Sequence, residues 1–212
     1  FDEFAYLAKK GGEDLNGDGV MNPEDDQFGF VTAEWEAPIN VLYAGGQKIY
    51  NINDEGAVEL TLYSNKTVEI FDEFFSLMNN EACFLRFTEG NINYSGPDIF
   101  QSGRAMMASG GLGSAQGLRN MDDDFGIIPY PKFDENDEYS TAVNGVAPLV
   151  VIPISVGDVN RTGAITEALA AYGHRDVIPA FYEKSLKSKY ARDEESEEMM
   201  DLIKDSVFLS FE

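Results

Sequence analysis

Residues 97–114 have the sequence Pro-Asp-Ile-Phe-Gln-Ser-Gly-Arg-Ala-Met-Met-Ala-Ser-Gly-Gly-Leu-Gly-Ser. This stretch predicts a short helix that ends before Gly103, followed by a buried strand over residues 104–108. A glycine-rich loop then leaves the carboxyl end of the strand, which is where α/β sheets place ligands. The candidate ligand contacts in this loop are Ser109, Gly110 and Gly111. A tight turn from strand to helix would explain the same glycines.

The rest of the chain alternates strands and helices in the same way, which predicts an α/β fold. The predicted strands cover residues 28–31, 125–132 and 146–154, and the last of these is apolar enough to be buried on both faces. The predicted helices lie near residues 1–10, 38–43, 64–78, 162–172, 181–190 and 193–203. In the 64–78 helix, Val68, Phe71, Phe75 and Met78 recur at helical spacing and are expected to face the core.

Composition excludes several classes of function. Thirty-eight acidic residues against fifteen basic ones give a formal charge of −23, which repels nucleic acids and favours a monomer. Cys83 is the single cysteine, so neither an internal disulfide nor a thiolate metal cluster can form. The glycine-rich loop matches no dinucleotide fingerprint or P-loop, because Gly117 comes one residue too late after Gly111 and Gly113.

An oxygen-rich stretch at residues 14–25 has the pattern Asp-x-Asn-x-Asp-Gly-x-x-Asn-x-x-Asp. Ca²⁺ requires six to eight oxygen ligands, and a loop with a sharp central turn supplies them from alternate positions. The predicted calcium ligands are Asp14, Asn16, Asp18, the Val20 carbonyl, Asn22 and Asp25. The pattern resembles dockerin calcium loops, of which a dockerin carries two and this chain one. We expect a structural calcium ion; an acidic turn without metal is the alternative.

Trp35, the only tryptophan, lies between Glu34 and Glu36. Sugar sites use this combination, because the ring stacks on C–H bonds while carboxylates accept hydrogen bonds from hydroxyl groups. The three residues are candidate ligand contacts. A core tryptophan between two surface acids is the alternative interpretation.

Four segments together resemble one family. They are the opening Phe1-Asp2-Glu3-Phe4 with Ala8-Lys9-Lys10, the Gly103-Arg104-Ala105-Met106-Met107 segment, Asp124-Phe125-Gly126-Ile127-Ile128-Pro129-Tyr130-Pro131-Lys132, and Lys189-Tyr190-Ala191-Arg192-Asp193 with Met199-Met200-Asp201-Leu202-Ile203. In this order they are similar to the family 1 extracellular solute-binding proteins of bacterial ABC importers, the maltose-binding-protein-like class.

The resemblance implies a periplasmic-binding-protein-like lobe of class II type, with a mixed sheet flanked by helices. Residues 1–131 would form the main body of the second lobe, residues 132–173 a crossover of first-lobe type, and residues 174–212 a helical return. The first lobe would be largely missing, because the sequence opens and stops inside apolar segments typical of a fragment. Where maltose-binding relatives have a stacking tryptophan after the glycine turn, this sequence has Leu112.

The implied function is the non-catalytic capture of a solute, expected to be a carbohydrate, between two lobes. The solute would then pass to the membrane permease subunits of the importer. The resemblance also implies an extracellular location, as a lipoprotein on a Gram-positive cell surface or in a periplasm, which suits the calcium loop.

Two alternatives come from other functional classes. A secreted glycoside hydrolase would use paired carboxylates, but the sequence distinguishes no two of the thirty-eight acids as catalytic. A dockerin-like interaction module would need a second calcium loop. His174 and Cys83 occur once each without a partner motif, which argues against a metalloenzyme or a Cys-His nucleophile.

Overall fold

The computed structural model describes residues 1–33, 36–86, 96–143, 149–187 and 194–208. The helices are α1 (Asp2–Lys10), α2 (Ala37–Ala44), α3 (Asn65–Met78), α4 (Gly96–Gln101), α5 (Val159–Tyr172) and α6 (Glu194–Asp205). The strands are β1 (Phe28–Ala33), β2 (Tyr50–Ile52), β3 (Val58–Leu60), β4 (Cys83–Arg86), β5 (Ala105–Ala108), β6 (Thr141–Ala142) and β7 (Val207–Phe208). A 3-10 helix covers Leu112–Asn120, and π-helical turns cover Gly173–Val177 and Ala180–Lys187. The predicted α/β class is confirmed.

Strand β1 is the centre of a three-stranded parallel sheet with the order β4-β1-β5. Phe30 is in register with Cys83 on one side and with Met107 on the other. Two smaller sheets accompany it: β2 and β3 pair antiparallel, and β6 and β7 pair parallel. The described chain therefore contains both parallel and antiparallel strand pairs, but in separate sheets.

The main hydrophobic core lies between this sheet and the helices α1, α2 and α3. Its buried members are Ala8, Phe30, Ala37, Val41, Ile70, Phe74, Leu77, Met78 and Cys83. Helix α1 packs against β1 so closely that a Cβ atom on Gly29 would lie 1.7 Å from the Ala8 carbonyl oxygen. The Phe4 ring meets the Phe30 ring edge-on, with 4.9 Å between the centroids.

Helix α3 begins where the sequence predicts, because the Ser64 hydroxyl accepts a hydrogen bond from the Thr67 amide. The predicted core face is wrong for two of its four residues, since Met78 is buried and Phe71 is half-buried. The buried residues are Thr67, Ile70, Phe74, Leu77 and Met78, whereas Val68 and Phe75 are exposed. Two neighbouring rows of apolar side chains run along the helix at the same residue spacing. The row that contains Ile70 is the buried one, because it packs against α2.

Two predicted strands are wrong in the residues that the structure describes. Residues 125–132 form no strand, because Pro129 and Pro131 cannot donate to a ladder. Residues 149–154 form no strand either and have no strand beside them in the described chain. Their apolar side chains are exposed; Val150 and Ile154, for example, are 82% and 102% accessible.

The helix predicted at residues 162–172 is confirmed within α5, yet no residue of α5 is buried. Ile165, Leu169 and Tyr172, which recur along it at helical spacing, are all more than half exposed. The helix predicted at residues 181–190 is π-helical as far as Lys187. Its remainder lies outside the described residues, as does the start of the helix predicted at residues 193–203. In α6 the buried apolar residues are Met200 and Ile203.

No helix of the described chain has the length and apolar character needed to cross a membrane.

Gly29→Ala tests the contact between α1 and β1. The added methyl group would overlap the Ala8 carbonyl oxygen, so we expect the free energy of unfolding to fall by about 3 kcal/mol or more. Gly163→Ala is the matched control, since Gly163 lies within α5 and a Cβ atom there meets nothing within 4 Å. The control should gain up to about 1 kcal/mol from helix propensity. Equal effects of both changes in urea denaturation would contradict the packing.

Candidate functional site

Strands β1 and β5 run parallel and end at the same edge of the sheet. Val31 is in register with Ala108, and the Ser109 amide donates a hydrogen bond to the Val31 carbonyl, 3.1 Å away. Helix α2 starts at Ala37, a few residues after β1 ends. The edge therefore gathers the start of the glycine-rich loop, the last residues of the central strand and the first turn of a helix, an arrangement that α/β proteins use to bind ligands.

Four polar residues meet at this edge, and we name them the strand-end cluster: Thr32, Asn40, Ser109 and Tyr130. The Thr32 and Ser109 hydroxyl oxygens are 2.6 Å apart, and either group can donate. Thr32 is only 1% exposed, so this hydrogen bond is largely shielded from water. Tyr130 reaches the cluster from the segment before Pro131, with its ring packed against the main core.

The Tyr130 hydroxyl oxygen is buried and has no hydrogen bond of regular geometry within the described chain. Burial raises the pKa of this hydroxyl, and the nearby side chains of Ser109, Asn40 and Thr32 lower it. The group therefore stays protonated near neutral pH and is available as a donor.

Glu36 occupies the N-cap position of α2 at the same edge. Partial burial raises the pKa of its carboxyl group, since low polarity disfavours the charged form. Glu36 also influences the pKa of Tyr130 through its charge, which places the carboxyl group near the strand-end cluster.

The predicted ligand contacts divide into two groups. Glu36 and Ser109 lie at the edge of the sheet beside the cluster, and Gly110 and Gly111 follow Ser109 in the loop. Glu34 and Trp35 lie outside the described residues. At Gly111 a Cβ atom would meet nothing within 4 Å, so neither crowding nor a positive φ requires this glycine.

Sequence analysis missed Thr32, Asn40 and Tyr130. Thr32 is an ordinary strand residue in sequence, and Asn40 lies in the second turn of a helix. Tyr130 carries one usable signal, because it stands between Pro129 and Pro131, which restrict the backbone on both sides.

The predicted calcium loop is held by its own side chains. Asp14 accepts hydrogen bonds from the Gly17 and Gly19 amides at 2.7 and 2.8 Å, and these bonds lower the pKa of its carboxyl group. Asn16 and Asp18 accept from the amides two positions ahead, at 2.9 and 2.8 Å. Gly17 and Gly19 have φ values of 76° and 81°, which allow the sharp turns.

Asp26, which the prediction omitted, ties this loop to the fold. It is fully buried, and its carboxylate accepts hydrogen bonds from the Leu15 and Asn22 amides at 2.9 and 2.8 Å. Arg104, at the start of β5, donates to the Pro23 and Asp26 carbonyl oxygens. Asp25, the predicted closing ligand, is exposed instead.

The donor set of the loop suits Ca²⁺ chemically, because every candidate ligand atom is oxygen. The carboxylates that accept amide hydrogen bonds also retain free lone pairs. Within the described residues, however, no three acidic, histidine or cysteine side chains form a group that could hold a metal. A calcium ion here would depend on the Asn16 and Asn22 amide oxygens and the Val20 carbonyl, so calcium binding stays a prediction.

Comparison with known proteins gives one solved structure. It is the maltose/maltodextrin-binding domain MalE from Bdellovibrio bacteriovorus bound to maltotriose, which matches with a TM-score of 0.57 and 19% sequence identity. The match covers 97% of this chain and 51% of that one, so this chain spans about half the length of its structural relative. No protein-family model and no curated protein sequence matches. The comparison therefore shows the fold, an α/β lobe of the periplasmic-binding-protein type.

Thermal unfolding with calcium and with a chelator tests the loop at residues 14–25. A ligand that binds only the folded state raises Tm, by roughly 5 °C or more at a calcium concentration 100-fold above Kd. Asp14→Asn should remove most of this rise, whereas Asp54→Asn, an exposed acid outside the loop, should keep it. Equal Tm values for the wild-type chain with calcium and with chelator would contradict calcium binding.

Proposed function

We propose that this chain is the carbohydrate-binding part of an extracellular solute-binding protein that serves an ABC importer. The observation that carries the proposal is the strand-end cluster with Glu36, at the carboxyl edge of a parallel sheet. The fold is shared with a domain that was solved bound to maltotriose. A sheet edge with several convergent polar groups is the usual place for a small-molecule ligand in such a fold.

The chemistry of the edge suits a sugar. Sugar hydroxyl groups both donate and accept hydrogen bonds, and the Ser109 hydroxyl and the Glu36 carboxyl are matching partners. Backbone amides at Gly110 and Gly111 would approach the ligand closely, because glycine has no side chain of its own. Trp35 would add a flat apolar surface for the C–H face of a sugar ring.

We propose that the site lies on the second of two lobes and that the first lobe completes it. Residues 149–154 and helix α5 expose a run of apolar side chains that includes Val150, Ile154 and Leu169. Apolar side chains exposed along a stretch of consecutive residues, as at 149–154, favour an interaction face. In the proposed arrangement, residues 132–173 belong with the first lobe and residues 1–131 and 174–212 with the second.

The proposed protein works without catalysis. The solute binds between the lobes, a hinge motion closes them, and the closed form is presented to the membrane permease. Calcium would stabilise the loop at residues 14–25 outside the cell, where the full-length protein is held by a lipid anchor or confined to a periplasm. The carbohydrate leaves chemically unchanged.

Fluorescence of Trp35 tests the proposal, since it is the only tryptophan in the chain. We would titrate the chain with maltotriose, cellotriose and xylotriose at equal concentrations. One class should change the emission saturably with a Kd of about 1 mM, a modest affinity because one lobe supplies only one side of the site.

Two serine variants test where on the chain the sugar binds. Ser109→Ala should weaken binding about three- to tenfold by removing one hydrogen bond, whereas Ser76→Ala, on the exposed face of α3, should leave Kd unchanged. The absence of a saturable response to every sugar would contradict carbohydrate binding. Equal weakening by both serine variants would contradict the proposed location.

A further inference from the structure

The Tyr130 hydroxyl is a buried polar group that the proposed sugar contacts do not use. Buried hydroxyl groups in folded proteins almost always have a hydrogen-bond partner, so one without a regular bond requires an explanation. Its neighbours Ser109, Thr32 and Asn40 are all polar. The Tyr130 hydroxyl therefore lies among polar side chains, without a regular hydrogen bond to any of them in the described chain.

The count of donors and acceptors in the cluster favours Tyr130 as the donor. The bond between Thr32 and Ser109 uses one of their two hydroxyl protons but leaves lone pairs on both oxygens. The Tyr130 hydroxyl supplies a proton that these lone pairs can accept.

The backbone around Tyr130 holds its ring in place. Pro129 has a fixed φ, and Pro131 restricts Tyr130 itself to an extended conformation. The ring packs against the main core together with Phe133. A hydroxyl carried by so restricted a residue has a well-defined position relative to the Ser109 side chain.

We propose that Tyr130 is a positioning residue, which fixes the Ser109 hydroxyl and the start of the glycine-rich loop through the strand-end cluster. The consequence for ligand affinity rests on the proposed function, in which Ser109 contacts the sugar. The positioning role itself concerns only this chain, so it can be tested with and without a ligand.

Amide hydrogen exchange of Tyr130→Phe tests the positioning role without a ligand. The variant removes one oxygen atom and keeps the ring. We expect the Ser109 amide, which donates to Val31, to exchange about three- to tenfold faster, while the Phe30 and Val31 amides change less than twofold. A purely structural role would instead accelerate all of these amides together. Unchanged exchange at Ser109, or equal acceleration throughout β1, would overturn the proposal.

Two further variants sharpen the exchange test. Tyr63→Phe is the matched control, because Tyr63 is 102% exposed and should leave every rate unchanged. The double variant Tyr130→Phe with Ser109→Ala should exchange at residues 110–111 no faster than Ser109→Ala alone, because Tyr130 acts through Ser109. Additive acceleration in the double variant would contradict that route.

Sugar binding gives a second readout. With the sugar class that the wild-type chain binds, Tyr130→Phe should raise Kd about three- to tenfold while Tm stays within about 2 °C of wild type. If the wild-type chain binds none of the three sugars, the proposed function fails, and the exchange data alone decide the positioning role. An unchanged Kd together with faster exchange at Ser109 would overturn the link between this residue and the ligand.

Discussion

Strand β1 is enclosed on both edges by β4 and β5, and α1 covers it so closely that Gly29 has no room for a side chain. The two candidate sites both depend on this enclosure. The parallel pairing brings the ends of β1 and β5 together, which places Thr32 beside Ser109. Arg104 enters β5 from the other end and holds the loop at residues 14–26. The candidate sugar site and the candidate calcium loop thus lie at opposite ends of one strand.

The elements that sequence analysis located well carry their own local signals. The Ser64 cap starts α3, Gly103 follows α4, and the Gly11 that ends α1 lies where the apolar period stops. These features depend on backbone geometry and on residues within one turn, so they are visible in the sequence. The parallel order of the strands and the close contact at Gly29 depend on distant residues and became visible only in the structure.

The sequence predictions that were wrong also have specific physical causes. Periodicity could not choose between the two apolar stripes of α3, because contact with α2 makes that choice. Residues 149–154 have the composition of a buried strand, yet the described chain supplies no neighbouring strand. Ser109 was predicted from the composition of the glycine-rich loop and Glu36 from its place beside Trp35, and their binding of a ligand stays a prediction. Tyr130 was missed, since a tyrosine between two prolines does not indicate where its hydroxyl points.

The central claim is that a carbohydrate binds where β1 and β5 end. Mapping of amide chemical shifts during a sugar titration tests it most directly, because one experiment follows the backbone amides along the whole chain. The account predicts saturable shifts confined to the residues at the ends of β1 and β5, the first turns of α2 and the loop at residues 109–113. Shifts centred instead on the groove of about 480 Å³ between α1 and α3, lined by residues such as Tyr6 and Glu73, would contradict it.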